Sequence, residues 1–187
     1  GAANVGETVA ITFTVENVST NPAYGRWTDA IYLSSDNQWD LGDTLLGRVA
    51  HVGDLAANGS YTATLNAALP ALKDGNWRVI VRPDLYNEVF EGRITYTENG
   101  LNLPPGEANN RVASGAALRV QVPVLTVGQT LSTTLGPEQT QVWKVTVGAG
   151  ETLRLLLDSS AASGANEVYV RWGDVPTPSL FDAAYSN

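Results

Sequence analysis

The sequence predicts an all-β protein built as a sandwich of antiparallel sheets, and three observations support this fold class. Apolar and polar residues alternate with a period of two, as in 8–15, where Val9, Ile11 and Phe13 share one face. Turn signals such as Asn58-Gly59 and Asp74-Gly75 separate these short stretches. No long stretch has the 3.6-residue period of an amphipathic helix. Short strands with regular punctuation are typical of a sandwich.

The alternation places the predicted strands in order at 8–15, 27–33, 44–52, 60–69, 76–82 and 112–122. The connection 91–109 is longer than most sandwich loops, and 94–97 could form a small hairpin within it. A linker follows at 122–124, after which alternation restarts in 141–147, 152–158 and 167–172, with one more short strand near the end. These later strands are too few to close a sandwich. We therefore expect one domain in 1–122 and an incomplete second β-domain in 123–187.

The composition excludes several classes of function. The chain of 187 residues has 11 Lys and Arg against 19 Asp and Glu, a formal charge of −8. Nucleic acids and anionic lipid surfaces bind clustered basic residues, so we expect neither partner. Cysteine is absent, which excludes disulfides and thiolate metal sites.

Methionine is absent too, and the chain begins Gly-Ala-Ala, so we expect a piece of a longer protein. No apolar run is long enough to span a bilayer, so we expect no direct membrane insertion. Any export signal or anchor would lie outside this piece.

An acidic connection between two predicted strands is the first candidate site. Asp36, Asp40 and Asp43 lie close together there, and closely spaced carboxylates in a flexible turn are ligands that calcium accepts. Their spacing lacks the regularity of an EF-hand loop. The alternative, which we favour, is that these residues supply ordinary turn chemistry. Calcium is therefore a hypothesis and not a required cofactor.

Trp39 lies in the same connection, outside any alternating pattern. If exposed, its indole could stack on a sugar ring or a peptide aromatic, with Asn37 and Gln38 beside it as hydrogen-bonding groups. The alternative is that Trp39 folds back over the end of the sandwich as a lid on the core. We favour this lid, because large aromatic side chains are mostly buried.

No catalytic arrangement emerges from the remaining residues. His51 is the only histidine, so it cannot build a metal cluster alone, and we expect it at the surface or core edge. Asp84, Glu88 and Glu91 include carboxylate pairs of the kind that a glycosidase needs. Such pairs occur in any acidic protein, and a structural role is the better interpretation. The sequence therefore predicts that the chain is not an enzyme.

The region 6–122 resembles the CARDB domain, the cell-adhesion-related domain found in bacteria. Its ordered motifs are Gly6-Glu-Thr-Val9, Val15-Glu-Asn17, Trp27-Thr-Asp29, Tyr32-Leu-Ser-Ser35, Asp43-Thr-Leu-Leu-Gly47, Leu69-Pro70 followed by Gly75, and Asp84 followed by Asn87-Glu-Val-Phe-Glu91 and Asn109-Asn110. The resemblance implies an immunoglobulin-like sandwich, often found in tandem arrays. It also implies that the domain begins here at its second strand, with the first strand missing.

Residues from 125 on resemble the first half of a bacterial pre-peptidase C-terminal (PPC) domain. The motifs include Trp143-Lys-Val-Thr-Val-Gly-Ala-Gly-Glu-Thr-Leu153, Val168-Tyr-Val-Arg-Trp172 and Pro176-Thr-Pro178. The resemblance implies a jelly-roll-like module appended to secreted proteases and other exported proteins. We expect its missing strands to come from a flanking domain or from a complementing chain.

Together these observations predict a spacer or adhesion module of a large secreted or cell-surface bacterial protein. One alternative is a glycan- or protein-binding module that uses Trp39 and the aspartate loop. A second alternative is an accessory domain of a secreted hydrolase.

Overall fold

The computed structural model describes residues 1–90, 95–97, 100–102, 110–137, 139–159 and 166–186. These residues contain strands and irregular segments and no helix. The prediction of an all-β fold is confirmed. The strands are β1 (Ala2–Asn4), β2 (Thr8–Glu16), β3 (Arg26–Ser34), β4 (Thr44–Val52), β5 (Ser60–Ala68), β6 (Gly75–Arg82), β7 (Thr95–Thr97), β8 (Gly100–Asn102), β9 (Val112–Ala113), β10 (Leu118–Gln121), β11 (Glu167–Val170) and β12 (Ala183–Ser186).

Two sheets form a sandwich in the first part of the chain. The larger sheet has the order β1-β10-β6-β3-β4, with β9 also paired to β6. The smaller sheet contains β2 and β5, which pair antiparallel over their full length. Val9 of β2 packs against the buried core cluster beneath the large sheet, and the Tyr61 hydroxyl of β5 bonds to Asp29 of β3. The inner faces of the two sheets therefore meet, as in an immunoglobulin-like sandwich.

The core lies between these sheets and follows from the alternation. It consists of inward-facing apolar residues, which include Leu33, Leu69, Leu72 and Val120, each at most 7% exposed. On β3, Trp27 and the inward residues after it are buried as well. Burial of such side chains is the main favourable term in folding, roughly 1.5–3 kcal/mol for each large one.

The predicted strands of the first part are confirmed with small differences at their ends, but 112–122 is divided. Ser114 separates β9 from β10, because its hydroxyl accepts a bond from the Val79 N–H and donates one to the Ala116 carbonyl. Arg78 holds the same turn through the carbonyls of Ser114 and Gly115. The hairpin predicted near 94–97 forms as β7 and β8, whose strands pair antiparallel.

A short strand that the alternation did not predict precedes β2. This strand, β1, pairs in parallel with β10 at the edge of the large sheet. It does not pair with β2, whose other edge has no strand beside it among the described residues. The division between 1–122 and 123–187, and the absence of a family-type first strand, stay predictions.

The second part of the chain differs from the sequence prediction. The strands expected at 141–147 and 152–158 are not formed, and the first of these segments has only an isolated bridge between Val124 and Lys144. Alternation reports which side chains prefer a buried face, but a strand also needs a neighbour to pair with. No neighbouring strand is provided for them by the described residues. The strand predicted at 167–172 does form, as β11, and pairs with the terminal strand β12.

Candidate functional site

The aspartate loop connects β3 to β4, and its first carboxylate closes a local turn. The Gln38 N–H donates to Asp36 Oδ1 at 2.7 Å, and the Asp36 N–H donates to Ser34 Oγ at 3.2 Å. Ser34 is buried, so this end of the loop is anchored to β3. The carboxylate of Asp36 therefore serves the backbone beside it.

Asp40 and Asp43 serve a second turn in the same loop. The Gly42 N–H donates to Asp40 Oδ1 at 2.6 Å, and the Asp40 N–H donates to Asp43 Oδ2 at 3.1 Å. The geometry fits the turn chemistry that we favoured from the sequence. Within the described ranges, no three acidic or histidine side chains gather into a group that could hold a metal ion. Calcium binding stays a prediction.

Trp39 is half-buried and lies back over the outer face of the large sheet. The Arg82 guanidinium carbon is 3.9 Å from the centre of its ring, that of Arg111 is 5.2 Å away, and Tyr32 meets the ring edge-on. Its indole nitrogen is buried and has no hydrogen-bond partner among the residues that the structure describes. Asn37 and Gln38 are exposed. Part of the ring surface that a ligand would use is thus occupied by a guanidinium group, an arrangement with its own cation–π attraction.

A buried hydrogen-bond chain crosses the sandwich between β3 and β5. The indole N–H of Trp27 donates to the Tyr61 hydroxyl at 2.9 Å, and that hydroxyl donates to Asp29 Oδ2 at 2.5 Å. Asp29 is fully buried, and its other oxygen accepts from the Asp84 N–H at 3.3 Å. These hydrogen bonds give partners to the polar atoms that the sheets enclose. Buried polar atoms without partners would cost free energy of folding.

Burial shifts the titration of these groups. It raises the pKa of Asp29, an effect that the hydrogen bond from Tyr61 partly opposes. Burial also raises the pKa of Tyr61, and the bond to Asp29 adds to that rise. Perturbed groups often mark active sites, but networks that hold a fold together perturb them as well. Here each group is engaged by a neighbouring protein group.

His51 packs against the same chain. Its ring lies 4.1 Å from that of Trp27 and 4.0 Å from that of Tyr61, and its Nε2–H donates to the Gly53 carbonyl at 3.0 Å. His51 was predicted at the surface or the core edge, and its half-buried side chain confirms that prediction.

Asp84 organises the turn after β6. Its two carboxylate oxygens accept the N–H groups of Glu88 at 2.7 Å and Val89 at 2.8 Å. Burial raises its pKa, and these two bonds oppose the rise. The backbone of Asp84 is left-handed, with φ of 46°, so the turn depends on this residue. The pairing with Glu91 that we considered lies outside the described residues, because Glu91 is not among them.

The junction between the two parts of the chain is a further polar site. Lys144 Nζ lies 2.5 Å from Asp74 Oδ2, and Asp74 Oδ1 accepts the Val122 N–H at 2.7 Å. The Lys144 N–H donates to the Pro123 carbonyl, and its own carbonyl accepts from the Leu125 N–H. A second ion pair joins Lys73 to Asp174. The hydrogen bond from Lys144 lowers the pKa of Asp74.

Sequence reasoning missed the buried chain and the junction. The sequence did contain one indication of the buried hydrogen-bond chain, because Asp29 occupies an inward position of β3, between Trp27 and Ile31. A carboxylate on a core face needs a partner, and Tyr61 is an inward residue of another predicted strand. No pattern in the sequence pointed to Arg82 and Arg111 beside Trp39, or to Lys144 beside Asp74, because these contacts depend on tertiary placement.

The described part of the chain includes no helix long and apolar enough to cross a membrane. A scan against protein-family models finds no model that matches this chain. A search of curated proteins finds no significant match either. The resemblances to CARDB and PPC domains therefore stay predictions.

Proposed function

We propose that this chain is a non-enzymatic spacer or adhesion segment of a large bacterial protein that is secreted or displayed at the cell surface. In this proposal 1–122 is a CARDB-like sandwich and 123–187 is a partial PPC-like domain. The all-β fold and the packed two-sheet core are what such a segment needs, because a stiff sandwich keeps its ends a fixed distance apart.

The observation that carries the proposal is the structured junction at 122–125. A flexible linker would let the two parts move independently. Here Asp74 bonds both the backbone at Val122 and the side chain of Lys144, and Lys144 bonds the backbone on both sides of Val124. These contacts support a fixed relation between the sandwich and the segment after it.

The use of the buried polar groups supports a non-enzymatic role. Asp29 and Tyr61 bond to each other, and Asp84 holds the turn after β6. A catalytic acid or base must reach a substrate with the atom that reacts. The polar atoms of these three groups face protein groups instead, so their shifted pKa values fit a structural role.

The apolar residues of the second part support completion by other strands. The buried apolar residues among those described all lie between Ala3 and Val122, whereas Leu156 is 83% exposed and Trp172 80% exposed. Exposed apolar residues in such number mark an interaction surface. We propose that strands of a flanking domain or of a complementing chain cover them.

Distance measurement by electron spin resonance tests the spacer. The chain has no cysteine, so Thr20→Cys and Ser179→Cys give two unique labelling positions on exposed loops. A rigid spacer predicts a narrow distance distribution. Asp74→Ala should broaden it, whereas Arg48→Ala, which removes an exposed cation far from the junction, should not. A broad distribution in the otherwise unaltered chain would contradict a rigid spacer.

A second candidate function is ligand binding at Trp39, favoured by one observation. The indole nitrogen of Trp39 is buried and has no hydrogen-bond partner among the described residues, and a glycan or peptide acceptor could reach it once the Arg82 guanidinium moved off the ring. Titration of the chain with a panel of glycans and peptides, followed by tryptophan fluorescence, tests this function. Loss of binding in Trp39→Ala but not in the control Trp172→Ala would support it. Absence of binding to the whole panel would leave the spacer as the better account.

A further inference from the structure

The edge of β2 that faces away from β5 is a feature of the fold that the proposed spacer function does not use. β2 pairs with β5 along nine residues on one side, from Thr8 opposite Ala68 to Glu16 opposite Ser60. On its other side, no strand of the described residues pairs with it. The short strand β1, which precedes it, joins β10 of the other sheet.

The hydrogen bonds beyond the ends of β2 show which residues have backbone groups directed toward this open edge. The Asn17 N–H donates to the Gly59 carbonyl and the Leu69 N–H donates to the Glu7 carbonyl, each at 2.9 Å. Both pairs continue the register of β2 and β5, and hydrogen-bonded pairs alternate along an antiparallel ladder. The odd-numbered residues therefore bond β5. The N–H and C=O groups of Thr8, Ala10, Thr12, Thr14 and Glu16 are directed away from it.

This edge has none of the features that usually prevent strand addition. Between Thr8 and Val15 there is no lysine, proline, glycine or charged residue, and the register with β5 has no bulge. By contrast β4, at the edge of the large sheet, contains Arg48 and has a register shift against β3. Long, flat and uncharged edges are the ones that recruit another strand.

The outer face of the same strand carries small, uncharged side chains from Thr8 to Thr14. Thr12 and Thr14 bond the hydroxyls of Thr64 and Thr62 on β5, at 2.9 and 3.0 Å. All four threonines are exposed. From Thr8 to Thr14 a neighbouring strand could therefore lie beside β2 without meeting a bulky or charged side chain on this face, and Glu16 is the one charged residue there, at the end of the strand.

We propose that the β2 edge pairs antiparallel with the β2 edge of a second copy of this chain, about a two-fold axis at Thr12. In this register Thr12 lies opposite the partner's Thr12, Ala10 lies opposite the partner's Thr14, and Glu16 lies opposite the partner's Thr8. The even-numbered residues of both copies then exchange backbone bonds. No two carboxylates lie directly opposite, so the edge is compatible in charge with itself, and a four-stranded sheet joins the two sandwiches.

Charge substitution at the two-fold axis tests this dimer in the intact chain. Thr12→Lys places two lysines directly opposite, and sedimentation equilibrium should show a dimer dissociation constant raised about tenfold or more. Thr64→Lys is the matched control, because it removes the same Thr12–Thr64 bond and adds the same charge on β5, away from the axis. It should dimerise as the unaltered chain does.

Thr12→Glu separates a specific register from a general effect of charge. Alone, this variant should be monomeric, and mixed with Thr12→Lys it should form a heterodimer, because opposite charges then face each other. The mixture tests the proposal even if one variant alone is less stable, because pairing with the other variant would stabilise it. The proposal is overturned by an unaltered chain that stays monomeric from micromolar to millimolar concentration. Equal dimerisation of Thr12→Lys and Thr64→Lys, or no heterodimer in the mixture, would also overturn it.

Discussion

The Tyr61 hydroxyl occupies the centre of the buried hydrogen-bond chain between the two sheets. It accepts from Trp27 and donates to Asp29, and Asp29 is wholly enclosed. Removal of one partner in such a chain leaves the others without a bond and without water, which costs more than the bond itself contributes.

Tyr61→Phe should therefore destabilise the protein with little change of shape. It leaves the Trp27 indole N–H and one oxygen of Asp29 unsatisfied, which predicts a loss of about 1–3 kcal/mol in the free energy of unfolding. Urea denaturation followed by circular dichroism measures this loss. Tyr24→Phe, at a tyrosine that is 68% exposed, is the control and should change stability little. Equal stability of both variants would show that these hydrogen bonds are not important for the fold.

The raised pKa of Asp29 predicts a pH dependence of stability. Burial keeps its proton bound in the folded chain at pH values where the unfolded chain, with a pKa near 3.8, has released it. The folded state then binds more protons, so this contribution to stability is complete below pH 3.8 and is lost as the pH rises through the folded pKa.

Asp29→Asn removes this titration and keeps the size of the side chain, while Tyr61, His51 and Asp84 still face the site. The unaltered chain should lose stability relative to Asp29→Asn as the pH rises above 3.8. Urea unfolding of both proteins at a series of pH values measures the difference. The prediction would be contradicted if the difference in unfolding free energy between the two proteins stayed constant with pH, or if it changed in favour of the unaltered chain.

Strands and turns, the next larger scale, are where the sequence was most informative. Asn58-Gly59 was predicted as a turn, and the structure gives Asn58 a left-handed φ of 54° and bonds the Gly59 N–H to the Ala56 carbonyl. A side chain on Gly59 would have its Cβ 2.9 Å from that carbonyl oxygen. This contact is with backbone, so the turn itself would have to shift.

Gly59→Ala should accordingly destabilise the sandwich by about 1–3 kcal/mol, as overpacking does. Gly115→Ala is the matched control, because a Cβ there meets nothing within 4 Å. Thermal unfolding of the two variants measures the contrast. A tolerated Gly59→Ala would mean that the turn can relax without loss.

The aspartate loop gives a prediction about calcium. If it binds the ion, calcium should raise the melting midpoint, because the unfolded chain lacks the assembled site. Asp40→Ala should abolish that shift and leave the fold intact. Melting in millimolar calcium and in chelator makes the comparison. Identical midpoints in the two conditions would remove the calcium hypothesis.

Alternation predicted the elements of the first part well and those of the second part poorly, for one physical reason. In β2 and β5 each inward residue has a facing sheet, so the pattern and the pairing agree. In 141–147 and 152–158 the same pattern has no neighbouring strand among the described residues, and no strand forms. Contacts that join distant segments, such as Arg82 with Trp39 or Asp74 with Lys144, leave no local pattern to read.

At the scale of the whole molecule, the two parts of the chain differ in how far their apolar side chains are buried. The fully buried side chains of the described residues, which include Ile31, Leu33 and Ile80, belong to the sandwich. In 152–158, Leu155 and Leu157 are each close to half exposed, and Leu156 is more exposed still. Stability in such a chain is concentrated where the core is, because local opening is least favourable there.

Native-state hydrogen exchange on the intact chain, read by mass spectrometry, tests this division most directly. Amides of β3 and β6, which are paired on both sides within the large sheet, should exchange only on global unfolding. Amides of 141–147 and 152–158 should exchange orders of magnitude faster, because the described structure gives nearly all of them no strand partner. Equal protection of both parts would contradict the account, since it would require a second core that packs independently of any completing strand.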